Sequence, residues 1–135
     1  MHGTARIARI TGAAVGMGAS AAAVFLQRGY RVLGVDVAIL AVPVGRVVEV
    51  ACAALDAGAP IVTDVGSVKG PIVASIEGER PGAAARFVGG HPMAGSEQDG
   101  IEGADADLFV GATWVLTPTP ATDEAAYTSL RNLLR

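Results

Sequence analysis

The sequence predicts an α/β fold, with a mostly parallel sheet and helices on both faces. Three observations carry that prediction. Short apolar runs alternate with stretches of helical spacing along the whole chain. Polar, glycine-bearing islands follow several of those runs, as loops at strand ends do. The length, 135 residues, suits one domain and leaves no room for a second.

Taken in order, Ile7–Thr11 reads as a first strand and Gly12–Gly18 as a glycine-rich turn. Ala19–Arg28 reads as a helix closed by Gly29, and Arg31–Val35 as a second strand ending on Asp36. Ile39–Val42 is a further apolar strand stopped by Pro43. Val44–Ala57 has helical spacing, with Val47, Val48, Ala51 and Leu55 on one face and Gly58 at its end. Pro60–Thr63 reads as a strand, and Ser67–Glu77 as a helix that tolerates Pro71 near its start. Arg80–Ala85 is an irregular connection into a strand at Arg86–Val88, which leads to a loop around His91. Ile101–Val110 is polar and irregular. Thr113–Thr117 is a strand ended by Pro118 and Pro120, and Asp123–Leu134 an amphipathic helix with Thr122 as its N-cap.

One place resists this scheme. The strand at Arg31–Val35 runs into the one at Ile39–Val42 with no gap. Parallel neighbours need a crossover of about a dozen residues or more. Either one crossover is missing, or these residues form one long bent strand or an unusual pair.

Composition excludes several classes. The net charge is −3 and no basic cluster occurs, which argues against nucleic acid and anionic membranes as partners. No apolar run reaches the ~18 residues of a membrane span, and the N-terminus has no signal-peptide layout. The single cysteine, Cys52, leaves no internal disulfide and fits a reducing, cytoplasmic setting. In its helical context it reads as a small core residue rather than a nucleophile. No cluster of His and Cys has metal-ligand spacing, so no metal is expected. The mean hydropathy of +0.46 is high for a small domain. It suggests apolar surface covered by a second copy, as in a homodimer, or by another partner.

Two stretches point to chemistry. In the first, Thr11-Gly12-Ala13-Ala14-Val15-Gly16-Met17-Gly18 joins a strand to a helix. Glycines there let the turn approach a pyrophosphate, whose charge meets the helix N-terminus. Asp36, closing the next strand, can accept hydrogen bonds from a ribose and would repel a 2′-phosphate. That favours NAD over NADP and makes the fold Rossmann-like. Gly12, Gly16, Gly18 and Asp36 are therefore the candidate cofactor residues. The alternative is a glycine-rich turn without a ligand.

The second stretch is Gly89-Gly90-His91-Pro92-Met93-Ala94-Gly95-Ser96-Glu97, preceded by the polar island Asp64-Val65-Gly66-Ser67-Val68-Lys69-Gly70. His91 stands on small residues at a strand end, where an imidazole can exchange a proton near neutral pH. Its alternative is a histidine bonding loop carbonyls. Ser67 can equally cap the following helix. Asp64 and Glu97 could pass for paired carboxylates, but loop acids are usually solvated, and the same holds for Asp105 and Asp107. Trp114, on a strand, reads as core.

Residues 7–37 resemble the short-chain dehydrogenase/reductase family in the glycine turn alone. That family's Tyr-x-x-x-Lys is absent, because Tyr30 and Tyr127 are followed four residues on by Gly34 and Arg131. From Ala38 to about residue 120 the chain resembles the prephenate dehydrogenase family, with the related arogenate dehydrogenases. The blocks that carry the likeness are Ile39–Val44, Ile61–Lys69, Gly89–Glu97 and Ala106–Pro118, in that order.

The resemblance implies an NAD-dependent oxidative decarboxylation of prephenate or arogenate, a step of tyrosine biosynthesis. Its catalytic histidine falls on His91, which would bond the ring hydroxyl while hydride leaves for NAD⁺. Its serine falls on Ser67, which would help place that histidine and hydroxyl. Ala41, Val42 and Pro43 would line the cofactor cleft. Lys69, Ser96 and Glu97 match without an assigned role. The expectation is a single, truncated dinucleotide-binding domain over 1–135, with a junction near 37–38 and without the family's C-terminal helical domain. The competing reading is a module that holds NAD and turns nothing over, or an interaction fragment.

Overall fold

The computed structural model of the chain describes residues 8–11, 37–95 and 105–135. They form a five-stranded sheet in the order β1-β2-β3-β4-β5. The strands are β1 (Ala8–Thr11), β2 (Val37–Leu40), β3 (Val62–Asp64), β4 (Phe87–Pro92) and β5 (Trp114–Thr117). The first four run parallel, and β5 lies antiparallel along β4. Three α-helices lie among the described residues: α1 (Val47–Asp56), α2 (Gly70–Glu79) and α3 (Glu124–Leu133).

Strand alternation sends successive side chains to opposite faces, and both faces are covered. Ala38, Leu40, Val62 and Phe87 pack against Val47, Ala51 and Leu55 of α1 and Ile72 and Ile76 of α2. Val37, Ile39, Ile61 and Val88 pack against Ala126 and Leu130 of α3 on the other side. All of β2 and β3 is buried, including the polar Thr63 and Asp64. Edge strand β5 is half-exposed, and Trp114 packs as expected, with its ring 5.5 Å from that of Phe109.

Local chemistry sets the helix ends. Gly58, at φ +84°, ends α1 as the sequence predicts. The Gly58 amide donates to Leu55 O and the Ala59 amide to Ala54 O, both at 3.0 Å, which closes the last turn in a Schellman motif. Arg86 donates to the Leu55 and Ala59 carbonyls, adding a cation to that same terminus.

Several boundaries differ from the sequence reading. Strand β2 starts at Val37 and stops at Leu40, because its register follows β1, with Ala8 opposite Val37. Its described neighbours are β1 and β3. The chain between β1 and β2, residues 12–36, is long enough for a parallel crossover.

Helix α2 begins at Gly70, and Pro71 sits in its first turn. Ser67 therefore does not cap it; the N-cap position is Lys69, without a side-chain bond. Helix α3 is capped by Asp123, not Thr122. The Asp123 carboxylate accepts from the Ala125 and Ala126 amides at 2.6 and 3.1 Å, while the Thr122 hydroxyl accepts from the Thr119 amide. The turn at Asp105 and Asp107 is exposed as expected, and the Asp105 carboxylate accepts from the Asp107 amide.

The largest difference is β4. It does not stop at Val88 but runs through Gly89, Gly90 and His91 to Pro92, paired with Thr117, Leu116, Val115 and Trp114. His91 thus stands on a hydrogen-bonded strand rather than a loop. The residues expected to form the glycine turn, the helix at 19–28, the strand at 31–35 and Asp36 lie outside the described residues, as do Ser96 and Glu97.

Candidate active site at the carboxyl edge of the sheet

Parallel sheets bind ligands beyond the carboxyl ends of their strands. Here Thr11 and Leu40 end side by side, β3 ends at Asp64, and His91 lies near the end of β4. The exits from these strands hold the predicted site residues. Ala41 and Val42 are half-buried and Pro43 exposed, directly after β2. Ser67 is exposed on the connection after β3, and His91 is half-buried on β4. These residues share one edge. Gly12, Gly16, Gly18 and Asp36 lie outside the described residues, although Gly12 directly follows the end of β1.

The His91 imidazole bonds no described side chain or carbonyl. A structural histidine in a loop would be spent on such contacts. The Ser67 hydroxyl likewise bonds no described residue, and no hydrogen bond joins it to His91.

The group that sequence reading missed is Asp64. It is fully buried, not solvated. It ends an apolar strand, and a carboxylate in that place cannot stay charged without compensation. Oδ1 accepts from the Gly90 amide at 3.2 Å. Oδ2 accepts from the Gly66 amide at 3.0 Å and from the Lys69 ammonium. Lys69 is itself only 13% exposed, so the pair is screened from water on both sides. The signal in the sequence was a carboxylate closing the run Ile61-Val62-Thr63, with a lysine in the loop that follows.

The glycines before His91 are explained by the same cluster. A Cβ on Gly89 would sit 3.1 Å from Lys69 Cδ, so the missing side chain makes room for the lysine stem. A Cβ on Gly90 would sit 2.7 Å from both Asp64 O and Thr63 Oγ1. Only glycine lets β4 pass this close to the end of β3. The buried Thr63 hydroxyl has no hydrogen-bond partner among the described residues, a local cost of that tight approach.

The rim of this edge is apolar. Val44, Val68 and Met93 follow β2, β3 and β4 respectively and are 50%, 45% and 58% exposed. Small and apolar groups with a few polar atoms are the usual lining of a cofactor cleft. The described residues of this edge have that kind of lining. No cluster of metal-ligating side chains occurs among the described residues.

Cys52 lies elsewhere, buried on α1, with its thiol donating to Glu79 Oε2 at 3.7 Å. Burial, with the Glu79 carboxylate adding to it, pushes this thiol above its ordinary range. It is a core residue with a protonated sulfur, not a nucleophile.

A model of the family described as "Prephenate dehydrogenase, nucleotide-binding domain" matches residues 9–135. The match begins well before the junction expected at 37–38. A prephenate dehydrogenase of Bacillus subtilis (strain 168) is 44% identical over 75 residues, which is 56% of this chain and 20% of that protein. The crystal structure of prephenate dehydrogenase from A. aeolicus, in complex with hydroxyphenyl propionate and NAD+, superposes with a TM-score of 0.82 at 25% identity. It covers 99% of this chain and 58% of that one. Synechocystis arogenate dehydrogenase gives a TM-score of 0.79 at 29% identity, covering 96% of this chain and 55% of that one. The chain thus spans less than two-thirds of the length of each of these relatives.

Proposed function

This chain belongs to the prephenate dehydrogenase family, whose nucleotide-binding domain it carries, and from that premise we propose that it serves the NAD-dependent oxidative decarboxylation of prephenate or arogenate, with His91 as its proton-handling group. The observation that carries the reading is the half-buried His91 imidazole, at the carboxyl edge of the sheet, bonded to no described residue.

The described residues support a division of labour. Ala41, Val42 and Pro43 form the wall after β2 against which the cofactor lies, and their small or rigid side chains permit close approach. Outside the described residues, the sequence motif assigns Gly12, Gly16 and Gly18 to its pyrophosphate and Asp36 to its adenosine ribose. That carboxylate disfavours a 2′-phosphate and selects NAD over NADP. NAD⁺ held there would supply the acceptor for the hydride that leaves the ring carbon bearing the substrate hydroxyl.

His91 accepts the hydroxyl proton as that hydride departs, so that a carbonyl forms in place of the alcohol. The ring carboxylate then leaves as CO₂, and its bonding electron pair moves through the ring to the carbonyl oxygen. His91 returns the proton there, giving a phenol. Ser67 lies on the neighbouring strand exit and bonds the same hydroxyl, holding it toward the imidazole. Val44, Val68 and Met93 shield the reacting ring from water.

The remaining surface suits a second chain. Val110 and Val115, beside and on the edge strand, are 68% and 45% exposed and would be covered in a homodimer. Among the described residues no helix is long and apolar enough to cross a membrane. A reducing cytoplasm suits the single thiol.

The reading is tested by titrating NAD⁺ and NADP⁺ against the fluorescence of Trp114, the chain's one tryptophan. NAD⁺ should bind more tightly, and Asp36→Ala should narrow the difference. Binding of neither nucleotide removes the reading.

A further inference from the structure

We propose that the buried Asp64–Lys69 pair is a positioning device for His91, working through the backbone of β4. The proposal rests on the reading of His91 given above and deepens it. Neither residue touches the imidazole in the described contacts, so neither is a catalytic residue. Their effect is on where the strand that carries it lies.

The need for such a device follows from the strand lengths. Pairing of β3 with β4 ends at Thr63 opposite Val88, while β4 continues to Pro92. Beyond Val88 the inner side of β4 has lost its parallel partner. The Gly90 amide faces that gap and donates to Asp64 Oδ1 at 3.2 Å. A side chain thus replaces the missing backbone acceptor one residue before His91. The outer side of the same segment is held by β5, with His91 opposite Val115.

Two further contacts fix the Asp64 carboxylate itself. Its Oδ2 takes the Gly66 amide at 3.0 Å and the Lys69 ammonium. With Oδ1 on Gly90, both oxygens have partners. The carboxylate therefore has little freedom to rotate away. Lys69 also packs its stem against Gly89, whose Cβ position lies 3.1 Å from Lys69 Cδ. Gly89, Gly90 and His91 are thus braced by the connection that also carries Ser67. By strand alternation, Asp64, Gly89 and His91 lie toward the same face of the sheet. Charge-assisted bonds of this kind are about twice as strong as neutral ones and hold geometry accordingly. Proton transfer depends steeply on such geometry.

The test uses the full chain labelled with ¹⁵N, and the variants Asp64→Asn, Lys69→Met and Lys69→Arg. Amide exchange is compared at Gly90 and His91 and at Val62 and Val88 of the same sheet. The expected result is exchange at Gly90 and His91 faster by about tenfold or more in Asp64→Asn and Lys69→Met. Val62 and Val88 should quicken only by the factor that lost global stability sets, about tenfold or more below the change at Gly90 and His91, and Lys69→Arg should recover most of the protection. A purely structural role would speed all four amides by the same factor, and that result overturns the proposal. If Asp64→Asn does not fold, the two Lys69 variants carry the comparison.

Steady-state turnover of prephenate with NAD⁺ supplies the second arm. Both charge-removing variants should lower kcat by about tenfold or more and leave the KM for NAD⁺ unchanged. Local loosening with an unchanged kcat overturns the proposal. Turnover that survives His91→Asn would instead remove the reading of His91, while the exchange comparison would still decide whether the pair holds the strand.

Discussion

The Asp64 carboxylate at the end of β3 accepts the amide hydrogen of Gly90 on β4, 3.2 Å away, and so bonds two strands beyond the point where their ladder ends. With the Lys69 ammonium on the same carboxylate, this contact accounts for a buried acid, a largely covered lysine and a glycine pair. It also decides how the strand that bears His91 tolerates change.

The two glycines should respond unequally to alanine. At Gly90 the new Cβ meets a backbone oxygen at 2.7 Å, which cannot move without moving β3. At Gly89 it meets a lysine methylene at 3.1 Å, part of a flexible stem. Gly90→Ala should therefore cost about 1–3 kcal/mol, and Gly89→Ala less than half of that. Urea unfolding measures both; equal losses would contradict the close approach described here.

Removing the lysine charge should be worse than a surface substitution. Lys69→Met leaves the Asp64 carboxylate buried without its cation and should destabilise by about 3–5 kcal/mol. Pairing it with Asp64→Asn should recover a large part of that loss, because no charge is then stranded. A loss under about 1 kcal/mol for the single variant would place the pair among ordinary exposed ion pairs. The exposed Arg80–Asp56 pair, at 2.9 Å, is the internal control and should matter little.

Alkaline pH should expose the buried thiol. The pKa of Cys52 is raised from 9.0, by burial first and by Glu79 second. Below that pH neither folded nor unfolded chain is ionised there, so this group leaves stability flat. As pH rises past it, the unfolded chain loses its proton first and the folded state is penalised. Native Cys52 should also react slowly with an aromatic disulfide reagent at neutral pH and fast in denaturant. Equal rates in both would show an accessible, ionised sulfur.

Much of the fold was legible in the sequence because its signals are local. Gly58 after a helical run marked the end of α1, and Pro71 marked the first turn of α2. The alternation of strands and helices specified the parallel sheet. What could not be read is long-range. The apolar run from Val37 to Val42 has no breaker before Pro43, so the bounds of β2 within it depend on its register against Ala8. Thr122 and Asp123 are both good caps, and the bond from the Asp123 amide to Ala85 O is part of what sets which one the chain uses. Asp64 reads as a solvated acid in the sequence because neither its burial nor the Gly90 amide facing it is visible without the fold. Motif order singles out His91, Ser67 and Ala41–Pro43 as candidates, and the structure brings these candidates to one edge of the sheet.

The most direct test of the central claim is the rate of reduced-nicotinamide formation, followed by its near-ultraviolet absorbance, with prephenate and NAD⁺ for the chain and for His91→Asn. The account predicts NAD-dependent turnover that falls by about 10²- to 10⁴-fold in the variant, with NAD⁺ binding unchanged. Equal turnover in both proteins would contradict it.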